Sequence, residues 1–531
     1  MAALVIRGAH VADGTGDPLF AADVAIENGR IAEIGPHLTG ERTIEATGLV
    51  LAPGFVDMHA HSDLALLTEP AHEAKVTQGV TCEVIGQDGL SYAPVNDETL
   101  AQIRQQIAGW NGDPDGFDWN WRSVGQYLDR LDEGIAVNAC YLVPQGSVRM
   151  LAMGWDDRPA TADELARQSQ LVAEAMAEGA VGMSSGLTYS PGMYANTAEL
   201  TELCRIVAAL GGYYSPHHRS YGAGALAAYA EMVGVSQESG CPLHLAHATM
   251  NFAVNAGRAP ELLALLDDAI AHGCDITLDS YPYLPGSTTL AALLPSWASA
   301  GGPDAILARL ADDEAAERIR HSLESEGSDG CHGVPVEWET IQVAGVRDPA
   351  LSGRVGLTIA AIAEAERRSP FAVYRDQLLA DRLGTAILQH VGHEENVRAI
   401  MAHHAHTGGS DGLLTGAKPH PRAWGTFPRY LARYVRELGV LTLPECVAHL
   451  TGRPARRLRL SRRGLVRTGY HADLVIFDPV AVRDTATFAE PRRRPDGIPY
   501  VFVGGTAVVA DGTPTGALPG RSLRHTADGT F

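Results

Sequence analysis

The sequence predicts an α/β protein: a (β/α)8 barrel with a smaller β-rich domain assembled from both ends of the chain. Three observations carry that expectation. Through residues 54–467, apolar strand-like runs alternate with helix-like ones, which calls for a parallel sheet, and the length suits eight units with insertions. Residues 1–53 and 468–531 read instead as strands and turns, so the two ends are expected to meet in one small sheet domain. Finally, histidines fall at the ends of several strand-like runs in the middle segment, where barrels of this class carry their chemistry.

In order, Ala3–Arg7 and Ala22–Glu27 are β-rich runs punctuated by Asp13-Gly14, Asn28-Gly29 and Gly35-Pro36, and Asn-Gly is a strong hairpin signal. The apolar run Leu49–Ala52 then meets Pro53-Gly54, restarts as Phe55-Val56 and ends in His59-Ala60-His61. Alternate side chains of a strand share a face, so His59 and His61 project together and can grip one divalent cation of the zinc type. An isolated His-x-His is a short pattern that often binds nothing. Here a buried strand precedes it and more His and Asp candidates follow.

Further strand-like runs are Val80–Ile85, Ile135–Leu142, Gly182–Ser185, Tyr213–Ser215, Leu243–Ala246 and Asp275–Leu278. Between them, Thr161-Ala-Asp-Glu164 has a capping-box pattern opening a helix to Glu178, Asn196–Glu199 opens another, and Glu261–Ala271 is a third. Residues 299–350 break the rhythm with a polar, glycine-rich composition; they read as an insertion, either a lid over the site or a surface subdomain. The C-terminal strands are Ala472–Phe477 and Tyr500–Val503, with turns at Gly504-Gly505 and Asp511-Gly512.

Composition narrows the function classes. Hydrophobic residues make up 45% and charged residues 20%, as in ordinary globular proteins. No apolar run approaches the roughly 20 residues of a bilayer span, and the N-terminus lacks the pattern of a signal peptide, so a cytoplasmic protein is expected. A net charge of −22 repels nucleic acid and anionic lipid, and neither is expected as a partner. It also means that a carboxylate ligand needs a local clamp. The seven cysteines are scattered, with no Cys-x-x-Cys pair, which argues against a disulfide framework or a zinc finger.

The later candidates follow strands. Asp88, in Gly86-Gln-Asp-Gly89, comes directly after Val80–Ile85 and can bind or bridge metal, although Asp-Gly is also a common turn. Cys82 lies too far down the same strand to join it and reads as core. In Ser215-Pro-His-His-Arg219 one histidine should face the site and its neighbour should pack outward; His217 is taken as ligand and His218 as structural. In Leu243-His-Leu-Ala-His247, His247 ends the strand and His244 is structural. Asp411, in Gly408-Gly-Ser-Asp-Gly412, is placed to take a proton from water activated by the metal.

This set resembles the amidohydrolase superfamily, and within it the N-acyl-D-amino-acid deacylases, or D-aminoacylases. The resemblance rests on Ala52–His61, Gly182–Gly192, His217-His-Arg219, Asp279-Ser-Tyr-Pro-Tyr283, Gly409-Ser-Asp-Gly412, Pro419–Arg429 and Gly469–Asp478, which together span nearly the whole chain. It implies a (β/α)8 barrel, a small β-sandwich from both termini, one or two zinc ions, and hydrolysis of N-acyl-D-amino acids to a carboxylate and a free D-amino acid. By position it implies His59 and His61 as the first metal pair, His217 and His247 on the tightly bound metal, and Asp411 as acid/base. Tyr283 and the run Ser287-Thr288-Thr289 would contact the substrate carboxylate. Two positions depart from the family: Gln87-Asp88-Gly89 stands where an Asn-Cys-Gly is usual, making Asp88 the expected ligand, and Thr249 stands where a lysine is usual, so the carboxylate clamp is expected to move to Arg219. Other readings are a hydantoin-type cyclic-amide hydrolase or a dipeptidase. Such relatives often use a modified bridging lysine, and Lys75 and Lys418 are poor candidates because neither ends a strand. A non-catalytic metal-binding protein is a further reading. A homo-oligomer stays open.

Overall fold

Eight short parallel strands lie at the centre of the computed structural model, which describes residues 2–531. They are β1 (Phe55–Asp57), β2 (Val80–Ile85), β3 (Asn138–Pro144), β4 (Gly182–Gly186), β5 (Tyr213–His217), β6 (Leu243–Leu245), β7 (Ile276–Ser280) and β8 (His406–Gly408). They pair in chain order from β1 to β8. The ring closes where Met58 N donates to Gly408 O at 3.1 Å and Ala60 bridges Gly412 in parallel. The strands are buried because helices cover the outside and side chains fill the inside; every residue of β2 and β3 is buried. The helices start where the sequence says. Thr161 caps Ala162–Ala177 with a full capping box, and Asn196 caps Thr197–Ala209.

Both ends of the chain contribute to one nine-stranded sheet. Its joint is the antiparallel pair Val50–Pro53 with Leu474–Phe477. Asn28 (φ 51°) and Gly29 (φ 74°) make the expected tight hairpin turn between Phe20–Glu27 and Arg30–Gly35. Only Gly54 separates this sheet from β1, and a Cβ there would stand 2.2 Å from Thr81. The last residues behave differently from the expectation for 468–531: Gly520 bridges Ile135, Ser522 bridges Ala139, and His525 N donates to Gly179 O. They bind the barrel rather than the sheet.

Between β7 and β8 the chain makes a separate unit. Gly286–Thr289, Ala386–Gln389 and Ile341–Gly345 form a three-stranded antiparallel sheet, with its own core around Leu290, Ile319, Ile359, Tyr374 and Ile387. The insertion is therefore larger than residues 299–350. Its second half, Ile359–Glu366, Pro370–Ala380 and Ala386–Gln389, has the same helix–strand rhythm as a barrel unit and was indistinguishable by pattern. All seven cysteines are unpaired, and Cys82 is buried against Val56 and Cys140. Among the described residues, no helix is long and apolar enough to cross a membrane.

Candidate metal centre and active site

The C-terminal ends of the barrel strands gather four imidazoles and two carboxylates. His59 and His61 follow β1, Asp88 follows β2, His217 ends β5, His247 follows β6 and Asp411 follows β8. The chain turns sharply at three of them: Asp88 (φ 56°), His247 (φ 33°) and Asp411 (φ 48°) hold left-handed backbone, a conformation costly for a side-chain-bearing residue and concentrated at functional sites. Neighbouring glycines make these turns possible. A Cβ on Gly409 would lie 2.5 Å from Asp279 Oδ1, and one on Gly86 would lie 2.3 Å from Leu142 O.

Asp88 sits between all four histidines. Its oxygens lie 3.5 Å from His59 Nε2, 3.6 Å from His61 Nε2, 3.4 Å from His217 Nδ1 and 3.5 Å from His247 Nε2. Asp411 Oδ1 is 3.2 Å from His61 Nε2 and 3.7 Å from His59 Nε2. Two triads result, His59–Asp88–His247 and His59–His61–Asp411, each with donor atoms within 4.8 Å of one another.

Three of these rings turn one nitrogen toward a polar neighbour outside the cluster. His217 Nε2 is 2.7 Å from Thr188 Oγ1, His247 Nδ1 is 3.1 Å from Tyr221 OH, and His59 Nδ1 is 3.6 Å from Asp279 Oδ2. In these three rings the other nitrogen is aimed inward, the arrangement metal-binding histidines need, and His217 Nδ1 and His247 Nε2 lie 3.0 Å apart there. Both ring nitrogens of His59 and Asp88 Oδ1 are buried with no hydrogen-bond partner. Buried orphans facing one another, drawn from imidazole and carboxylate, fit one or two divalent cations of the zinc class.

Electrostatics agree. Burial alone would depress His59, but Asp88, Asp279 and Asp411 outweigh it and raise its pKa to about 9. Burial would raise the Asp411 carboxyl, yet Arg422 and His59 hold it below the usual carboxylate range. Asp88 is likewise held well below it, against burial, by His217, His247 and His59.

Two residues of the site carried no assignment from sequence. Asp279, inside β7, accepts from His247 N at 3.0 Å, pairs with His244 Nε2 at 3.0 Å and faces His59. Arg422 is fully buried in the helix Arg422–Arg429; its Nη2 is 2.9 Å from Asp411 Oδ2 and its guanidinium stacks 4.4 Å from the Tyr281 ring. Its Nε and Nη1 have no partner. The signal was present, since both lie in the blocks Asp279–Tyr283 and Pro419–Arg429 that carry the resemblance.

A space of about 720 Å³, its open mouth included, lies over these groups and is lined by His61, Asp88, His217, His247 and Asp411 on one side and by Tyr281, Ser287 and Thr288 on another. Ligand pockets of this order are usual. Two expected substrate contacts are corrected. Arg219 is outside this lining: its Nε pairs with Glu231 at 2.9 Å, and its other nitrogens donate to Met193 O and Ala195 O. Tyr283 turns away, its ring against His420 and the Arg429 guanidinium, and Tyr281 faces the cavity instead. His218 and His244 pack as structural histidines, His218 between the rings of Tyr221 and Tyr229. Lys75 is buried against Asp57 and Glu83, and Lys418 is exposed.

The amidohydrolase family model matches residues 42–509. The chain belongs to the amidohydrolase family. This amidohydrolase is 34% identical to the D-aminoacylase of Alcaligenes xylosoxydans xylosoxydans over 99% of its own length and 98% of the relative's. It is 34% identical to the N-acyl-D-glutamate deacylase of the same organism, over 99% and 97%. Its fold superposes with a TM-score of 0.83 on the N-acyl-D-glutamate deacylase of Bordetella bronchiseptica, solved with zinc and a phosphonate mimic of the tetrahedral intermediate, at 31% identity and covering 99% and 100% of the two chains.

Proposed function

We propose that this amidohydrolase removes the acyl group from N-acyl-D-amino acids, giving a carboxylate and a free D-amino acid, with one or two zinc ions bound by His59, His61, Asp88, His217 and His247. The observation that carries the reading is the pair of buried triads sharing His59, one of them containing Asp411, with the buried Arg422 on Asp411 Oδ2 and its Nε and Nη1 without a partner. Full-length likeness to two deacylases of D-amino acids supports the substrate class.

When bound, a divalent cation supplies Lewis acidity toward the scissile carbonyl and acidifies water in the site. The protein does the rest. Asp411 is ionised at neutral pH, and Arg422 occupies its Oδ2. Its Oδ1 therefore takes the proton from the attacking water and delivers it to the leaving nitrogen. Arg422 stands behind Tyr281 and Ser287, just outside the cavity lining, and its unpartnered Nε and Nη1 make it the local clamp for the substrate carboxylate where Thr249 replaces the usual lysine. Gly330 and His332 reach the cavity from the insertion, which supports reading that segment as part of the substrate wall. The unpaired cysteines support a reducing, cytoplasmic setting.

The test is Asp411→Asn with N-acetyl-D- and N-acetyl-L-amino acids as substrates. Wild type should hydrolyse the D-forms, and the variant should lose about a thousandfold in kcat while metal analysis shows the same zinc content. Retained turnover removes Asp411 from its role, and a preference for L-forms removes the substrate class.

A further inference from the structure

At the end of the barrel opposite the metal centre lies a cavity that the chemistry above does not use. Val181, Pro242, Asp275 and Ala405, which immediately precede β4, β6, β7 and β8, form part of its wall. Four arginines, Arg453, Arg456, Arg457 and Arg459, form another part, and the space measures about 1120 Å³, its open mouth included. Asp275 is the one carboxylate in this wall, so the cavity is strongly basic in a chain of net charge −22. Arg453, Arg456 and Arg457 lie three and four residues apart in the helix Gly452–Arg457 and share a face. Arg457 is fixed in place: Asp275 accepts from its Nη1 at 3.0 Å and its Nη2 at 2.7 Å, Thr277 Oγ1 accepts from its Nε at 2.7 Å, and its side chain is 3% exposed. The other three have no carboxylate partner among the described residues: Arg453 Nη1 reaches only His406 O, at 3.4 Å, Arg459 reaches Gly211 O at 3.3 Å and Ala527 O at 3.4 Å, and Arg456 makes no side-chain hydrogen bond. Burial lowers the Arg453 pKa, Glu445 opposes this without forming an ion pair, and the Arg456 charge adds to the lowering.

We infer that this cavity is a second binding site, for a small organic molecule carrying at least two anionic groups, phosphate or carboxylate, held by Arg453, Arg456 and Arg459. Guanidinium forks meet either group through two parallel hydrogen bonds. Arginines gathered on one face without counter-charges repel one another, and a ligand with several negative groups relieves that repulsion where a single charge does so only in part. The negative field of the rest of the chain disfavours an extended polyanion such as nucleic acid and leaves a ligand small enough to enter the cavity. Arg459 also serves the carbonyl of Gly211, beyond the end of the helix Thr197–Ala209, which gives it a structural task as well. Arg456 has no such task, and its position is explained by a ligand.

The experiment is calorimetric titration of the zinc-loaded, full-length protein at about 0.15 M salt. The probes are a hexose bisphosphate and tricarballylate, with acetate as the singly charged control. At least one of the two probes should bind one to one and about a hundredfold more tightly than acetate, and the tighter of the two identifies phosphate or carboxylate as the group the site is built for. Arg456→Glu, at an exposed position, should weaken that binding about a hundredfold while the unfolding temperature without probe stays unchanged. Arg453→Met should weaken it about tenfold. Binding no tighter than that of acetate overturns the inference. So does binding that survives Arg456→Glu undiminished, which puts the anion at the zinc instead. Neither result bears on the deacylase reading, because the titration follows no turnover.

Discussion

Asp88 touches all four histidines of the centre, and that sharing decides what the site will hold. A carboxylate is a harder donor than the thiolate usual at this position, so Asp88→Cys should shift relative affinity from manganese toward zinc and cadmium, read by metal competition. Protons compete for the same nitrogens. His59 has a pKa near 9 in the metal-free protein, so it carries a proton at neutral pH that a cation must displace. Zinc affinity should therefore rise with pH toward about 9 and fall below it, which titration at several pH values will show. At Arg422 the effect should fall on binding. Arg422→Met removes the proposed clamp and should raise KM for N-acetyl-D-amino acids by about a hundredfold, and a KM that stays put would send the search for the carboxylate partner elsewhere.

At the scale of elements, the seam between β1 and β8 is held by a buried charge network beneath the metal site. Asp57 accepts from Ser410 N at 2.8 Å, from Ser410 Oγ at 2.6 Å and from Lys75 Nζ. Lys75 also meets Glu83, which pairs with His72 and with Ser62 Oγ. Thus Lys75 is neither a metal bridge nor spare: it fixes the residues next to His59 and Asp411. Lys75→Met removes the buried ammonium that faces both Asp57 and Glu83 and should cost about 3–5 kcal/mol in denaturant unfolding. Burial would raise Glu83, but His72 and Lys75 outweigh it and hold its pKa at about 2. Its stabilisation is thus complete above the unfolded value and drains away as pH falls from about 4 to about 2. Glu83→Gln should flatten the stability–pH curve across that window.

Element geometry also explains what the sequence made readable. His217 and His218 were separable because both sit on or just past β5, where neighbouring side chains alternate. Arg219 and Tyr283 lie beyond the ends of β5 and β7, where alternation no longer applies and the chain turns each away. Arg422 reaches the site from a helix, and no spacing rule ties it to a strand end.

For the whole molecule, the barrel, the terminal sheet and the gathering of His and Asp at strand ends were legible because strand and helix periods differ. The extent of the insertion was not, since its second half imitates a barrel unit. Convergence of the proposed ligands from four strands also predicts that metal stabilises the entire fold. Chelation should lower the unfolding temperature, and zinc at about a thousand times its Kd should restore about 4 kcal/mol, measured by calorimetry. The seam described above has one more effect. Asp57 waits for Ser410, 353 residues downstream, so a ribosome must deliver nearly the full barrel before its first strand finds its last neighbour. Until that moment the nascent polypeptide exposes an unpaired strand edge, and chaperone capture during synthesis should concentrate on chains that stop short of residue 410.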